Sequence, residues 1–568
     1  MIDLHFNWRA AASLISKYTT ASMLALACSV STSALSAPDA GTLQQQIDRE
    51  RGAALPRKSA PPEMAPQTTK PVGAQTITVS AFVFKGNTLL SNEQLASVVA
   101  PYLVRAITFA ELQQAAVDVA NAYRAAGWVV HAFLPEQEVS DGRITIQIIE
   151  AVFGGTKLEG GQPTRFKEAR LLRIINSAQA KGEALNADRL DRAILLLDDM
   201  PGVAASGNLQ KGTGKNETEL ILRATDKPLV NGEVTADNGG AYSTGSARTN
   251  GNLYLNSPLG FGDQATASLI HAQGSDYGRL GYTVPAGNDG LRLGASGSYL
   301  SYGLVSDSFK DLNVKGTSST IGLDANYPLI RSRMENLYLG LSAVHKNFYN
   351  EASLATTTHY AINDVILSLN GNSFDRLGGD GVNITSLTLT RGDVKLGTLD
   401  ASENAGLAGT FTKLNYYLSR QQSITDSVSA NAAVSGQAAS TNLDSAEKFY
   451  LGGANGVRAY PANEGGGADG QLLNLELRKR LPNNFNLTGF YDLGHVRVNH
   501  NNDTNTSPNS VTLKGAGASL AWQSSHSLNL KATWARRIDN NPNPTSAGND
   551  QDGTLHKNRV WLNVGMTF

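Results

Sequence analysis

The residue types that carry enzymatic chemistry occur in this chain, but their spacing assembles no reactive centre. The nine histidines are scattered, His345 and His359 among them. Only His495 and His500 approach a zinc-type spacing, and no cysteine pair completes such a site. The single cysteine, Cys28, lies near the N-terminus, so disulfides and thiolate metal sites are excluded downstream. One Ser-x-x-Lys run, Ser445 to Lys448, lacks the companion motifs that make such a serine a nucleophile. No nucleophile elbow is evident, and no Gly-rich loop ending in Lys-Ser/Thr is available to cradle a nucleotide. The expectation is a protein that is not an enzyme and uses no cofactor or metal. A different chemistry remains, that of a charge on a wall. In Gly489 to Gly494 (GFYDLG), Tyr491 and Asp492 alternate across a strand. If Tyr491 faces an apolar exterior, Asp492 faces the opposite side, where a carboxylate needs water or a cation.

The element that would position Asp492 is a β-barrel. From about residue 227 short alternating segments take over, separated by Gly, Asn, Asp and Ser. The clearest are Leu337 to Leu341, Leu473 to Leu477 (LNLEL), Leu528 to Trp534 and Val560 to Phe568. One face is apolar and the other is small or amide-bearing rather than densely charged. That pattern suits lipid outside and a wet interior. Sixteen strands are expected, near 229–238, 248–256, 262–272, 277–284, 290–301, 316–328, 334–348, 357–371, 381–392, 408–419, 426–438, 468–480, 484–497, 509–522, 526–536 and 558–568. An even number returns both ends of the barrel to one side. Closure is required, because an open edge in lipid leaves backbone groups unpaired. The interval 440–467 forms no strand and reads as a long loop.

Upstream, the pattern changes. Arg9 and Lys17 followed by the apolar run Ala21 to Val30 and the small-x-small Ala34-Leu35-Ser36 predict a signal peptide over 1–36. A lipoprotein signal ending at Cys28 is the rival reading. Ala40 to Ala53 (AGTLQQQIDRERGA) reads as a polar helix, with Leu43 and Ile47 one turn apart. It has too little apolar surface to join a core, and is either a frayed end or the occupant of a water-filled lumen. Residues 54–75 hold five prolines and no periodicity, which makes them an extended linker. Residues 76–152 follow the order β-α-α-β-β: a strand at Ile77 to Phe84, helices at Asn87 to Val104 and Phe109 to Gly127, strands at Val129 to Leu134 and Ile144 to Val152. The order recurs over 153–226, with a short strand near Gly154 to Leu158, helices at Phe166 to Ala178 and Ala187 to Asp199, and strands at Val203 to Gln210 and Glu217 to Ala224. The charges balance, 48 Lys+Arg against 49 Asp+Glu, so no nucleic-acid partner is expected.

Three segments carry a resemblance to a known family. Leu185 to Val203 (LNADRLDRAILLLDDMPGV) is similar to the second helix and following turn of its second soluble domain. Phe449 to Pro461 (FYLGGANGVRAYP) resembles its signature loop, whose core reads Val-Arg-Gly-Tyr. Here that core is Val457, Arg458, Ala459 and Tyr460, with Ala in place of the usual Gly. Gly489 to Gly494 resembles its strand motif Phe-x-Asp-x-Gly through Phe490, Asp492 and Gly494. The family is that of the outer-membrane transporters of two-partner (type V) secretion, the TpsB proteins of hemolysin and filamentous-hemagglutinin type. The resemblance spans nearly all of the chain after residue 36.

The resemblance implies a plug helix (38–53), a linker (54–75), two polypeptide-transport-associated (POTRA) domains (76–152 and 153–226) and a sixteen-stranded barrel (227–568) whose loop 440–467 folds inward. It implies that Arg458 pairs with Asp492. It also implies a Gram-negative outer-membrane location with the POTRA domains in the periplasm, and export of an unfolded partner such as an adhesin or hemolysin without nucleotide hydrolysis. The POTRA domains would capture the passenger by strand addition, Val129 to Leu134 being the chosen edge. Further partners implied are outer-membrane lipid, lipopolysaccharide and the barrel-assembly machinery, which reads the terminal Phe568. The alternative is a barrel-assembly factor of the same superfamily, although such factors usually carry three or more POTRA domains. A porin would not carry the two α/β units.

Overall fold

The structure is a computed structural model. It describes residues 38–51, 55, 76–138, 141–160, 163–307, 313–352, 355–397, 407–503, 508–525, 527–545 and 547–568. The expected signal peptide with Cys28, and the expected linker apart from Leu55, lie outside the described residues.

The first α/β unit differs from its expected layout in ways that the backbone explains. The run Ile77 to Phe84 is two strands, Thr76–Thr78 and Ala81–Lys85, because it serves two partners. Thr76–Thr78 pairs antiparallel with a strand the pattern did not reveal, Ala106–Thr108. The chain then bends where Ser80 and Ala81 both donate to the Gly142 carbonyl, and Ala81–Lys85 runs parallel to Arg143–Glu150. Val130–Phe133 closes the other side of that strand antiparallel, so it lies at an edge. The first helix begins at Asn92 rather than Asn87. Ser91 and Gln94 form a reciprocal capping box there, worth about 1 kcal/mol. Two helices, Asn92–Val99 and Phe109–Ala125, bury Leu95, Val99, Ala115, Val119 and Tyr123 against Ile146 and Ile148.

The residues 87–90 form a turn built around Glu150. Its carboxylate accepts from Thr88 N at 2.7 Å, Leu89 N at 2.9 Å, the Tyr123 hydroxyl at 3.0 Å and the Thr88 hydroxyl. Burial alone would raise this carboxyl, but the four donors outweigh it and hold it below the ordinary range. A depressed carboxyl contributes stability that is fully present above the unfolded value, about 4.3, and is lost as the pH falls below it through the folded value. The Thr88 and Leu89 amides are therefore expected to lose hydrogen-exchange protection, corrected for intrinsic rates, on going from pH 7 to about pH 3. Glu150→Gln should be less protected at pH 7 and should lack that pH step. A step that persists in the variant would assign the effect to another group.

The second unit repeats the topology. Val152–Leu158 runs parallel to Glu217–Asp226, and Val203–Lys211 pairs antiparallel on the other side. Helices Glu168–Ala178 and Ala187–Asp198 pack Leu171, Ile175, Leu190, Ile194 and Leu197 on Leu220 and Leu222. This unit is bolted to the barrel. Arg331, buried, donates to both Asp199 oxygens at 2.6 and 2.8 Å, and Arg333 grips Asp191 at 2.6 Å. Arg192 donates to the Pro328 carbonyl.

Sixteen antiparallel strands close a barrel, from Val230–Asp237 to Asn558–Thr567. Their outward faces carry the apolar alternates: Leu269, Leu280, Leu323, Leu341, Leu477, Val560 and Leu562 are all exposed. A belt of this kind is intelligible against hydrocarbon and not against water. No helix among the described residues is long and apolar enough to cross a membrane. The closing seam pairs Asp237 to Glu233 with Asn563 to Thr567, and Gly232 and Phe568 exchange both backbone hydrogen bonds. Above Asp237 one more backbone bond, from Asn238 N to the Leu562 carbonyl at 3.3 Å, is joined by a side chain. Asn238 donates from Nδ2 to the Val560 carbonyl at 2.9 Å and accepts from Leu562 N at 2.8 Å.

The lumen is not simply wet. The helix Ala40–Glu50 lies inside it, and Ala40, Leu43 and Ile47 join a buried cluster with Leu300, Tyr302, Phe348, Tyr360 and Ile362. The expectation that this helix has too little apolar surface for a core is thus corrected. Three residues suffice because the wall supplies aromatic partners. A second cluster gathers loop residues Leu451, Val457, Ala459 and Tyr460 with wall residues Phe490, Val496, Val511 and Leu513.

Candidate functional site

The strands Asp469–Arg480 and Phe485–Arg497 are neighbours, in a register that sets Asn474 opposite Asp492 and Glu476 opposite Phe490. Alternation turns these four side chains inward together. The loop between Ala439 and Asp469 descends onto them and delivers Arg458. Its guanidinium donates from Nε to Asp492 Oδ2 at 2.9 Å and from Nη2 to Oδ1 at 2.7 Å, a bidentate fork. Nη1 reaches Glu476 at 2.8 Å, and the Arg458 backbone N donates to Asp492 Oδ2 at 3.1 Å. Asn474 completes the carboxylate at 2.8 Å and also donates to the Gly456 carbonyl. Asp492 is 0% exposed and Arg458 6%, so the pair is one in which removing either partner strands a buried charge.

The other motif residues each have a physical part. Phe490 lies flat beneath the guanidinium, whose carbon is 3.5 Å from the ring centroid. Gly494 leaves the space that Leu451 and Val457 fill, since a Cβ there would lie 2.6 Å from Leu451 and 3.1 Å from Val457. Ala459 meets a glycine of the wall: a Cβ on Gly515 would come 2.6 Å from the Ala459 Cβ. Gly515, which has no side chain, is what admits Ala459 this close to the wall. Tyr460 is buried under Arg537, whose guanidinium carbon is 4.5 Å from its ring centroid. Arg537 is itself paired with Asp550. Phe568 stands apart from this site, at the seam, its ring against Gly232.

Sequence reasoning missed Asn474, Glu476, Gly515, Arg537 and Trp561, whose indole N–H donates to the Arg458 carbonyl at 2.8 Å. Asn474 and Glu476 were visible as the polar alternates of Leu473 to Leu477. Aligning that run against GFYDLG would have placed them beside Asp492. Trp561 left no comparable signal.

The helix Ala40–Glu50 is capped by Asp39, whose carboxylate accepts from Thr42 N at 2.8 Å. It is tied to the loop along its length. Ser445 Oγ donates to Asp39 at 2.7 Å, Gln45 to the Lys448 carbonyl, and Arg49 to the carbonyls of Tyr450 and Gly452. Glu50 meets the wall at Arg248, 2.8 Å away. His495 and His500 do not converge: His495 bonds Thr512 and His500 bonds Asp469. The arrangement is a lumen occupied by a helix and a charged loop that hold one another.

A family model described as haemolysin secretion/activation protein ShlB/FhaC/HecB matches residues 216–522, and one described as POTRA domain, ShlB-type, matches residues 77–151. The Heme/hemopexin transporter protein HuxB of Haemophilus influenzae is 26% identical over 96% of this chain and 97% of its own. The Outer membrane transporter CdiB of Dickeya dadantii is 26% identical over 74% and 76%. Among solved structures, CdiB from Escherichia coli matches the fold with a TM-score of 0.71 at 22% identity, covering 94% of this chain and 100% of its own.

Proposed function

We propose, from the premise that the chain belongs to the haemolysin secretion/activation protein family ShlB/FhaC/HecB, a route by which it performs that family's task. The protein is an outer-membrane translocator that exports a secreted partner, with its POTRA domains in the periplasm. In the proposed route the unfolded passenger adds a strand to the edge Val130–Phe133 of the first POTRA domain. It then enters the barrel as the helix Ala40–Glu50 and the loop 440–467 give way. The passenger's own folding outside supplies the drive, so neither nucleotide hydrolysis nor catalysis is required. Residues 1–36 act as the export signal. Phe568 serves the barrel-assembly machinery as a terminal aromatic, and the apolar belt sits in outer-membrane lipid beneath lipopolysaccharide.

The observation that carries this reading is the bidentate Arg458–Asp492 pair. It holds a long loop inside the barrel beside the lumen helix. A photo-crosslinking residue at His131, on the edge strand, is expected to capture passenger in living cells. The same residue at Gln147, on the central strand, is expected to capture at least about tenfold less. Equal capture at both positions would remove the edge from the route.

A further inference from the structure

The inward loop stands on the wall at two places. Its tip is the Arg458 site. Its stem makes a short turn, Ser445–Glu447, and Glu447 is buried at 2% exposure. Lys346, on Glu335–Ala352, sets Nζ 2.6 Å from one carboxylate oxygen of Glu447. Lys413, on Gly409–Ser423, sets Nζ 2.7 Å from the other. The Glu447 carbonyl accepts from Lys413 Nζ and from Gln437 Nε2, both at 3.0 Å. Lys346 is shared with Asp364 at 3.0 Å. Two ammonium groups and two carboxylates therefore balance in a buried site that spans four wall strands.

The same turn carries the lumen helix. Ser445 donates to the cap residue Asp39, and Gly41 lies so close that a Cβ there would be 2.6 Å from Ser445 Oγ. The carbonyls that receive Gln45 and Arg49 follow within seven residues of Glu447. The geometry points to Glu447 as a positioning residue that fixes the seat of the helix, separately from the tip anchor. Without its charge the turn loses two wall contacts, Lys413 is left without a carboxylate, and the helix loses the platform on which its N-terminus rests. The inference rests on the family reading only in taking departure of the helix to be the opening step.

The test reads the helix directly and does not use export. The full-length protein, with Cys28 replaced by Ser and the pair Gly41→Cys and Ser445→Cys added, is oxidised and the cross-linked fraction measured. The variants without the added cysteines are reconstituted in planar lipid bilayers for conductance. Glu447→Gln, isosteric and neutral, is expected to raise the time spent open about tenfold, with a matching fall in cross-linking. Glu447→Asp keeps the charge and is expected to stay near wild type in both. Wild-type behaviour of Glu447→Gln, or Asp and Gln variants equally open, would overturn the inference. Should Glu447→Gln fail to reach the membrane as a heat-modifiable barrel, Lys413→Met is read the same two ways. It is expected to shift in the same direction, and an unchanged result there would equally overturn the inference.

Discussion

Arg458→Ala is expected to reduce passenger in the culture medium by about a hundredfold or more while the barrel still assembles. The side chain holds two carboxylates and covers an aromatic ring, and its removal leaves Asp492 buried with Asn474 as its remaining side-chain partner. Stranding a buried charge costs about 3–5 kcal/mol, and each ~1.4 kcal/mol is tenfold in the population of the seated loop. Asp492→Ala should be milder, because Arg458 keeps Glu476 at 2.8 Å. Arg458→Lys should fall between the two, since an ammonium cannot fork across Asp492 and reach Glu476 at once. The measurement is immunoblotting of secreted passenger at matched levels of heat-modifiable barrel. Wild-type export from Arg458→Ala would show that the anchored loop is dispensable.

The second large effect is steric. Gly515→Val would drive a branched side chain into Ala459, where even a Cβ would come to 2.6 Å. Overpacking of this kind costs about 1–3 kcal/mol, so export is expected to fall about tenfold or more. The exchange of partners is the sharper experiment. Gly515→Ala alone should impair export, and adding Ala459→Gly should restore most of it, because the pair again contains one methyl. Failure of that rescue, with the protein folded, would mean that Gly515 is required for a reason other than the approach of the loop.

These two experiments address residues of unequal legibility. The sixteen strands were readable because each declares itself locally: apolar alternates must face lipid, and turn residues separate them. Arg458 and Asp492 were readable only through a resemblance. Nothing local in either residue states that a loop arginine and a wall aspartate 34 positions apart will meet. Gly515 and Trp561 were invisible for the same reason, since their roles are set by what the loop brings to them. The soluble units went wrong where one apolar run serves two sheets. Periodicity reports that Ile77 to Phe84 is extended, but not that Ser80 is where it changes partner. The lumen helix was underestimated because apolar content was counted on the helix alone, while most of the cluster is contributed by the wall.

The short seam bears on how such a molecule comes into being. Every other join in the barrel links strands adjacent in the sequence, apart from the excursion of the inward loop, whereas Gly232 and Phe568 must meet from opposite ends of the barrel sequence. Contacts of that separation form last, and until they do the nascent sheet presents two bare margins able to recruit foreign strands. The hazard therefore falls in biogenesis: a folding intermediate of this chain needs a chaperoned margin for longer than its many local hairpins would suggest.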